Sequence, residues 1–203
     1  MQREKLNASV VLVKLDGKDV YFEPGKAFAP LGMLAWSQTG VPGLRLDKDG
    51  GTWIQTTLPQ ASQSRIERVG RLKLSDAGSL EGKLTVTYTG LEAMDQRVEE
   101  RHADEVERKK YLEERLMSQI GSATEVELTN KPDWKGSETP LVAEFDLKIP
   151  GWASSAGRRV VAPAAIFTAS GYSGEGEHRI RREDERHSGA KVNSSRSEAT
   201  LAK

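Results

Sequence analysis

With 30 Lys and Arg balancing 30 Asp and Glu over 203 residues, the chain has no global field to draw it to nucleic acid, an anionic membrane or an acidic substrate; partners must be chosen by local surface. The absence of cysteine excludes a disulfide framework, a thiolate metal site and a cysteine nucleophile supplied by this chain. The length suits one sizeable domain with its own core, no segment approaches a membrane span, and the charged opening Met1 to Lys5 lacks the apolar stretch of a signal peptide.

Val10 to Val13 run without alternation, the pattern of a strand covered on both faces, and Val20 to Phe22 return after Asp16-Gly17-Lys18, so a hairpin is expected. So few residues precede it that its covering layer is expected from outside this sequence, the N-terminus reading as a fragment end with an exposed apolar edge. Pro24 to Gly43 mixes prolines and glycines with the apolar run Phe28 to Trp36, which predicts an ordered, wrapping connection. Leu44 to Leu46 and Thr52 to Thr57 flank Asp47-Lys48-Asp49-Gly50-Gly51, a second hairpin. Asp47 and Asp49 open a calcium-loop spacing, but the remaining ligands and the distal glutamate are missing, so this is a turn and no metal is expected. Residues 59–64 are a polar linker.

The strongest pattern follows. Leu80, Gly82, Leu84, Val86 and Tyr88 alternate with Glu81, Lys83, Thr85, Thr87 and Thr89, and Ile66, Leu72 and Leu74 share one parity before the turn Ser75-Asp76-Ala77-Gly78. Two antiparallel strands with one buried and one wet face are predicted, in a strongly specified register. Thr89 and Glu92 form a capping-box pattern that would open a first helix with a narrow stripe of Leu91, Met94 and Val98. Asp104 and Glu107 repeat it for a second helix with Val106, Leu112, Leu116, Met117 and Ile120 on one side and Gly121 to close it. Charges of both signs between them, such as Arg97, Glu99, Lys109 and Glu113, make a solvated face.

Val126 and Leu128, then Leu141, Ala143, Phe145, Leu147 and Ile149, alternate with polar residues as two half-buried antiparallel strands, and Arg158 to Pro163 offers one more, edged by proline. From Ala169 the composition turns to Gly, Ser, Arg and Glu, too poor in apolar surface to offset the entropy of ordering, so disorder is expected. The predicted fold class is α+β, mainly β: an antiparallel sheet or sandwich with an inserted helix pair. Its divisions are a hairpin at 1–25, the connection with its short hairpin at 26–64, a β-rich domain at 65–168 and the tail at 169–203.

Residues that could carry chemistry are few. His102, His178 and His187 have no partner at metal-ligand or triad spacing. The tail is basic over Arg179 to Arg182 and acidic over Glu183 to Glu185, without the lopsided charge and interleaved aromatics of a nucleic-acid footprint. Trp36, Trp53, Trp134 and Trp152 fall mostly in turns and strand ends; they are candidates for a sugar- or peptide-stacking surface, although plugging the open ends of a sheet is the commoner use. No phosphate-binding glycine loop and no nucleophile elbow is present, and no cofactor is expected.

Leu6-Asn7-Ala8-Ser9-Val10-Val11-Leu12-Val13-Lys14-Leu15-Asp16-Gly17-Lys18-Asp19-Val20-Tyr21-Phe22-Glu23-Pro24-Gly25 resembles the C-terminal hairpin of the transglutaminase-like (papain-like) core of a group of large exported bacterial proteins. The stretch from Phe28-Ala29-Pro30-Leu31-Gly32-Met33-Leu34-Ala35-Trp36 through Tyr88-Thr89-Gly90-Leu91-Glu92-Ala93 to Pro150-Gly151-Trp152-Ala153-Ser154 is similar to the β-rich domain that follows that core. The match is one of whole pattern, over about Leu6 to Phe167; the tail is outside it, and its change of character would suit a truncated or frame-shifted reading.

The resemblance implies a Cys-His-Asp logic in which imidazole activates thiol and carboxylate holds imidazole. The places of His and Asp in that pattern hold Ala8 and Glu23, and the Cys would lie upstream of Met1. Alanine cannot act as a base. The resemblance therefore implies a non-catalytic scaffold or interaction domain, not an enzyme, of a periplasmic or secreted parent, with a protein partner or the rest of the parent chain as its contact and neither nucleic acid nor membrane insertion. The alternative is a fragment of a thiol peptidase or acyl-transferase whose nucleophile lies elsewhere; carbohydrate binding through the tryptophans is a third, weaker reading.

Overall fold

The computed structural model describes residues 6–120, 125–156 and 159–161. The fold is α+β and mainly β, with antiparallel sheets and an inserted pair of helices. The elements are β1 (Val11–Leu15), β2 (Lys18–Phe22), a 3-10 turn (Trp36–Gln38), β3 (Pro42–Asp47), β4 (Gly50–Gln55), β5 (Ile66–Leu74), β6 (Leu80–Tyr88), α1 (Leu91–Glu99), α2 (Glu105–Ile120), β7 (Glu125–Leu128), β8 (Leu141–Ile149), β9 (Ser154–Ala156) and β10 (Arg159–Val161). β1–β2, β3–β4 and β9–β10 are separate two-stranded ladders, while β5-β6-β8-β7 form one four-stranded sheet.

The predicted period-two segments build that sheet in one register. Leu84 lies between Gly70 and Phe145, and Val86 between Arg68 and Ala143, so the apolar parities of β5, β6 and β8 share a face. Leu84, Val86, Leu141, Ala143 and Phe145 are almost completely buried there, with Leu112 and Leu116 of α2 laid over them. Each of these side chains other than Ala143 contributes about 1.5–3 kcal/mol, so a one-residue slip, which turns the whole set to water, is strongly disfavoured. On the wet face Lys83 meets Asp146 at 2.9 Å and Lys148 meets Glu81 at 3.7 Å. Exposed pairs of this kind are worth at most about 1 kcal/mol each; they reinforce register more than stability.

The two helix starts differ from each other. At α2 the capping box forms as predicted: Asp104 Oδ1 accepts from the Val106 and Glu107 amides, and Glu107 Oε2 accepts from the Asp104 amide. At α1 the predicted Thr89–Glu92 box does not form. The Thr89 hydroxyl is drawn into the mouth of the β5–β6 ladder, accepting from the Arg65 amide and donating to the Arg65 carbonyl. The N-cap position falls to Gly90, at φ 58, where a Cβ would lie 2.2 Å from the Gln63 carbonyl oxygen. The orphan Glu92 amide is met instead by Ser64 Oγ, 28 residues upstream, at 3.3 Å.

The predicted helix stripes need two corrections. Val106 is 75% exposed and Met117 only half-buried; at 100° per residue both sit well round the helix from Leu112, by roughly 120° and 140°. The predicted Ile120 does pack against the core, and Tyr111, outside the predicted stripe, joins it there. α1 is not an amphipathic surface helix with a narrow stripe, since Leu91, Ala93, Met94, Gln96 and Arg97 are all buried. Sheet packing accounts for Ala93, whereas Leu91 and Met94 meet Ala35, Phe28, Ala29 and Met33 of the connection. The connection is ordered as expected: Leu34 is buried, the Gly32 amide bonds to the Tyr21 carbonyl, and the Leu31 amide bonds to Glu138.

β1 is not covered on both faces. Val11 and Leu15 are 47% and 44% exposed, and Tyr21 is the buried residue of this hairpin, in which β1 has β2 as its only strand partner among the described residues. The β3–β4 hairpin stands where predicted, with the Asp49 amide bonded to Asp47 Oδ1 inside the turn. The strand expected in Arg158 to Pro163 appears as β10, paired with the unforeseen β9. Just before β9, Trp152 and Ala153 are buried against the sheet, and the Ala153 amide bonds to the Gly78 carbonyl. Gly121, His178, His187 and the tail from Ala169 lie outside the described residues.

Candidate interaction site

The segment between β7 and β8 is fixed by its own side chains. Asn130 continues the pairing where β7 ends: its Nδ2 donates to the Val142 carbonyl and its Oδ1 accepts from the Glu144 amide, both at 2.9 Å. Asp133 then closes the loop, Oδ1 accepting from the Lys135 and Gly136 amides and Oδ2 from the Thr139 hydroxyl. Those bonds, that from Lys135 foremost, hold the Asp133 carboxyl below its usual range. From behind, Arg97 of α1 donates Nε and Nη2 to the Asp133 carbonyl and Nη2 to the Thr139 carbonyl, at 2.9–3.2 Å.

This anchoring presents Trp134 at the border of the core, half-buried, with the Arg108 guanidinium 5.2 Å from its ring centre. Arg108 is itself fixed by the Glu100 and Arg101 carbonyls at the helix junction. Between Trp134 and the first turns of α2 runs an open groove of about 630 Å³, lined by Val106, Arg108, Leu128, Lys131, Trp134 and Lys135 among others. Lys131 pairs with Glu105 at 2.6 Å, joining the loop to α2. With Arg108, Lys109, Lys131 and Lys135 against Glu105 and Asp133, the lining is net cationic over an apolar floor.

The four tryptophans do not form one surface. Trp152 is buried and offers no face to a ligand; Trp134 lines the groove; Trp36 on the 3-10 turn and Trp53 on β4 are exposed on different elements. Glu23 lies one residue beyond the Val11–Phe22 pair that ends the first ladder, and exposed Ala8 lies three residues before it, so both are at the open end of that hairpin. The Glu23 carboxylate is occupied: Oε2 accepts from the Ala35 amide at 3.1 Å and Oε1 from Gln38 Nε2 at 2.9 Å. It holds the wrapping connection against the hairpin.

Sequence reasoning missed a polar cluster between the helices and β5–β6. Tyr111 Oη lies 2.9 Å from Gln96 Oε1 and 2.7 Å from Glu99 Oε2 and accepts from Arg115 Nη1, while Arg68 of β5 donates to Gln119. Its visible signal was the spacing Tyr111, Arg115, Gln119 on one helix flank. Burial, then the hydrogen bond to Glu99, pushes the Tyr111 phenol far above its ordinary range, and burial raises Tyr88 as well. Both stay neutral near pH 7, where a phenol is a poor base and a poor nucleophile.

His102 is exposed beside Arg101, whose Nε donates to His102 Nε2 at 2.7 Å. Among the described residues no three His, Asp or Glu side chains converge as metal ligands, and no helix is long and apolar enough to cross a membrane. Compared with known protein families, with curated proteins and with solved structures, the chain finds no match in any of the three.

Proposed function

We propose that the chain is a non-catalytic scaffold or interaction domain of a larger exported protein with a transglutaminase-like core, and that the Trp134 groove receives a segment of a protein partner or of the parent chain. The observation that carries this reading is the use made of Glu23: both carboxylate oxygens already hold backbone or side chain of the connection. A carboxylate that orients a catalytic imidazole directs an oxygen at it, whereas both Glu23 oxygens, which keep lone pairs to spare, are directed at the connection. The groove supports the binding half of the proposal, being concave, apolar at its floor and built on a loop pinned from three directions.

Glu23→Gln, made in the longest natural form of the protein, tests it. The amide preserves the bond from Ala35, and Gln38 can turn its own amide to preserve the second, so folding is expected to survive. Hydrolysis or acyl transfer from fluorogenic glutaminyl peptides should be indistinguishable from the unsubstituted protein and from background. Turnover in the parent that falls by about 10⁴-fold in Glu23→Gln, the loss known for an amide at a triad carboxylate, would establish the thiol-enzyme reading instead. Exposure of Trp36 and Trp53 is what favours the carbohydrate reading; unchanged tryptophan emission on titration with cell-wall glycans would remove it.

A further inference from the structure

The charges that line the Trp134 groove are unequally matched. Both of its carboxylates are engaged: Asp133 accepts from the Lys135 and Gly136 amides and the Thr139 hydroxyl of its own loop, and Glu105 holds Lys131 at 2.6 Å. Lys109 lies 3.7 Å from both Glu113 and Glu127. Arg108 and Lys135, which also line the groove, have no ion-pair partner among the described residues. Arg108 gives Nε and Nη2 to the Glu100 and Arg101 carbonyls and lies over the Trp134 ring, so its position is fixed while its charge is left uncompensated. Lys135 is exposed; its amide is held by Asp133, its ammonium by no group among the described residues.

Apolar surface lies beside these two cations. Leu128 is buried at the floor, Trp134 and Pro132 are half-buried, and Val106, in the first turn of α2, is 75% exposed. A purely apolar occupant would take Arg108 out of water without giving it a carboxylate, which is costly. A nucleic acid would bring anions but no aliphatic side chain for Val106 and Leu128, and would meet a neutral chain with Glu105 and Asp133 in the lining. An acidic polypeptide segment brings both kinds of group. The bonds of Asn130, Asp133 and Arg97 fix the loop before a ligand arrives, so little ordering is left for binding to offset.

We infer that the Trp134 groove takes an acidic polypeptide segment, its carboxylates at Arg108 and Lys135 and a large apolar side chain against Trp134, Leu128 and Val106. This rests on the reading of the groove as a binding site for a protein segment and adds the charge and the anchor that it selects.

The test is selection of a random-peptide phage library on the full chain, followed by fluorescence anisotropy with the selected sequences made as labelled peptides. Those sequences should carry Asp or Glu beside a large apolar residue, protect residues 131–135 from hydrogen exchange, and bind more weakly as salt rises. Lys135→Glu should weaken binding about tenfold, and Glu105→Gln, which removes a carboxylate from the lining and releases Lys131, should tighten it about threefold. Both side chains are exposed, so the fold should survive each change, and a merely structural effect would not move affinity in opposite directions. Neutral or basic peptides that protect residues 131–135 would overturn the acidic assignment while leaving the groove a protein-binding site; failure to select any peptide would overturn both. Acidic peptides indifferent to the two variants would overturn the proposal by placing the contact elsewhere. An oligodeoxythymidylate bound more tightly than every peptide would overturn it in favour of nucleic acid.

Discussion

Replacing Arg97 by methionine isolates the tie between α1 and the loop that carries Trp134. The guanidinium, 1% exposed, makes three bonds to the carbonyls of Asp133 and Thr139. Burial lowers its basicity, but a guanidinium remains charged wherever a protein is folded. Methionine keeps much of the stem volume and removes the donors, leaving two carbonyls without their partner at about 1–3 kcal/mol each. Against that stands the relief of burying a cation whose Nη1 has no partner, a penalty of several kcal/mol in the folded state before its bonds are counted. The bonds win because only one side of the interaction is deleted, and the net loss should be about 3 kcal/mol. In a chain of this size that lowers the midpoint of thermal unfolding by roughly 6–12 °C. Urea unfolding followed by far-ultraviolet circular dichroism measures the loss, and hydrogen exchange should show protection falling over residues 131–140 ahead of the sheet. A loss under about 1 kcal/mol, or a loop that stays protected, would refute the claim that Arg97 pins it.

Glu92→Gln should stabilise the protein at pH 7 and not in acid. Burial, then Asp95, raises the Glu92 carboxyl; a raised folded value gives a contribution present below the ordinary carboxyl range and lost as pH rises through the folded one. The two unfolding midpoints should converge near about pH 4, and a gap independent of pH would contradict this. Gly78→Ala, at φ 80 and with the new Cβ 2.2 Å from the Ala153 carbonyl oxygen, should cost about 2 kcal/mol or more in the urea midpoint; a neutral result would mean that the turn and Ala153 are not in contact. Ser64→Ala should lose about 1 kcal/mol as a helix cap, with exchange rising at the Glu92 amide. If Thr89→Ala raises that amide's exchange instead, the cap has been misassigned.

What could be read from the chain alone was whatever depends on neighbours in sequence. Period-two alternation in Leu80–Tyr88 and Leu141–Ile149 fixes strands and their wet and dry faces, since adjacent side chains must point to opposite sides; the Asp104–Glu107 box fixes the start of α2, because donor and acceptor are within one turn. The absence of cysteine settled which chemistry this chain cannot supply. Tertiary structure decided everything that depends on partners distant in sequence. Thr89 and Ser64 have competing uses for one hydroxyl each, and only the closing of the β5–β6 ladder assigns Thr89 to Arg65 and leaves the helix cap to Ser64. Arg97 looks like a solvated helix charge until the β7–β8 loop brings two carbonyls to it, and Val106 looks like core until the axis of α2 is set by Leu112 and Leu116. Local pattern states what a residue is able to do; which ability is used depends on the groups that folding brings within about 3 Å, where hydrogen bonds form.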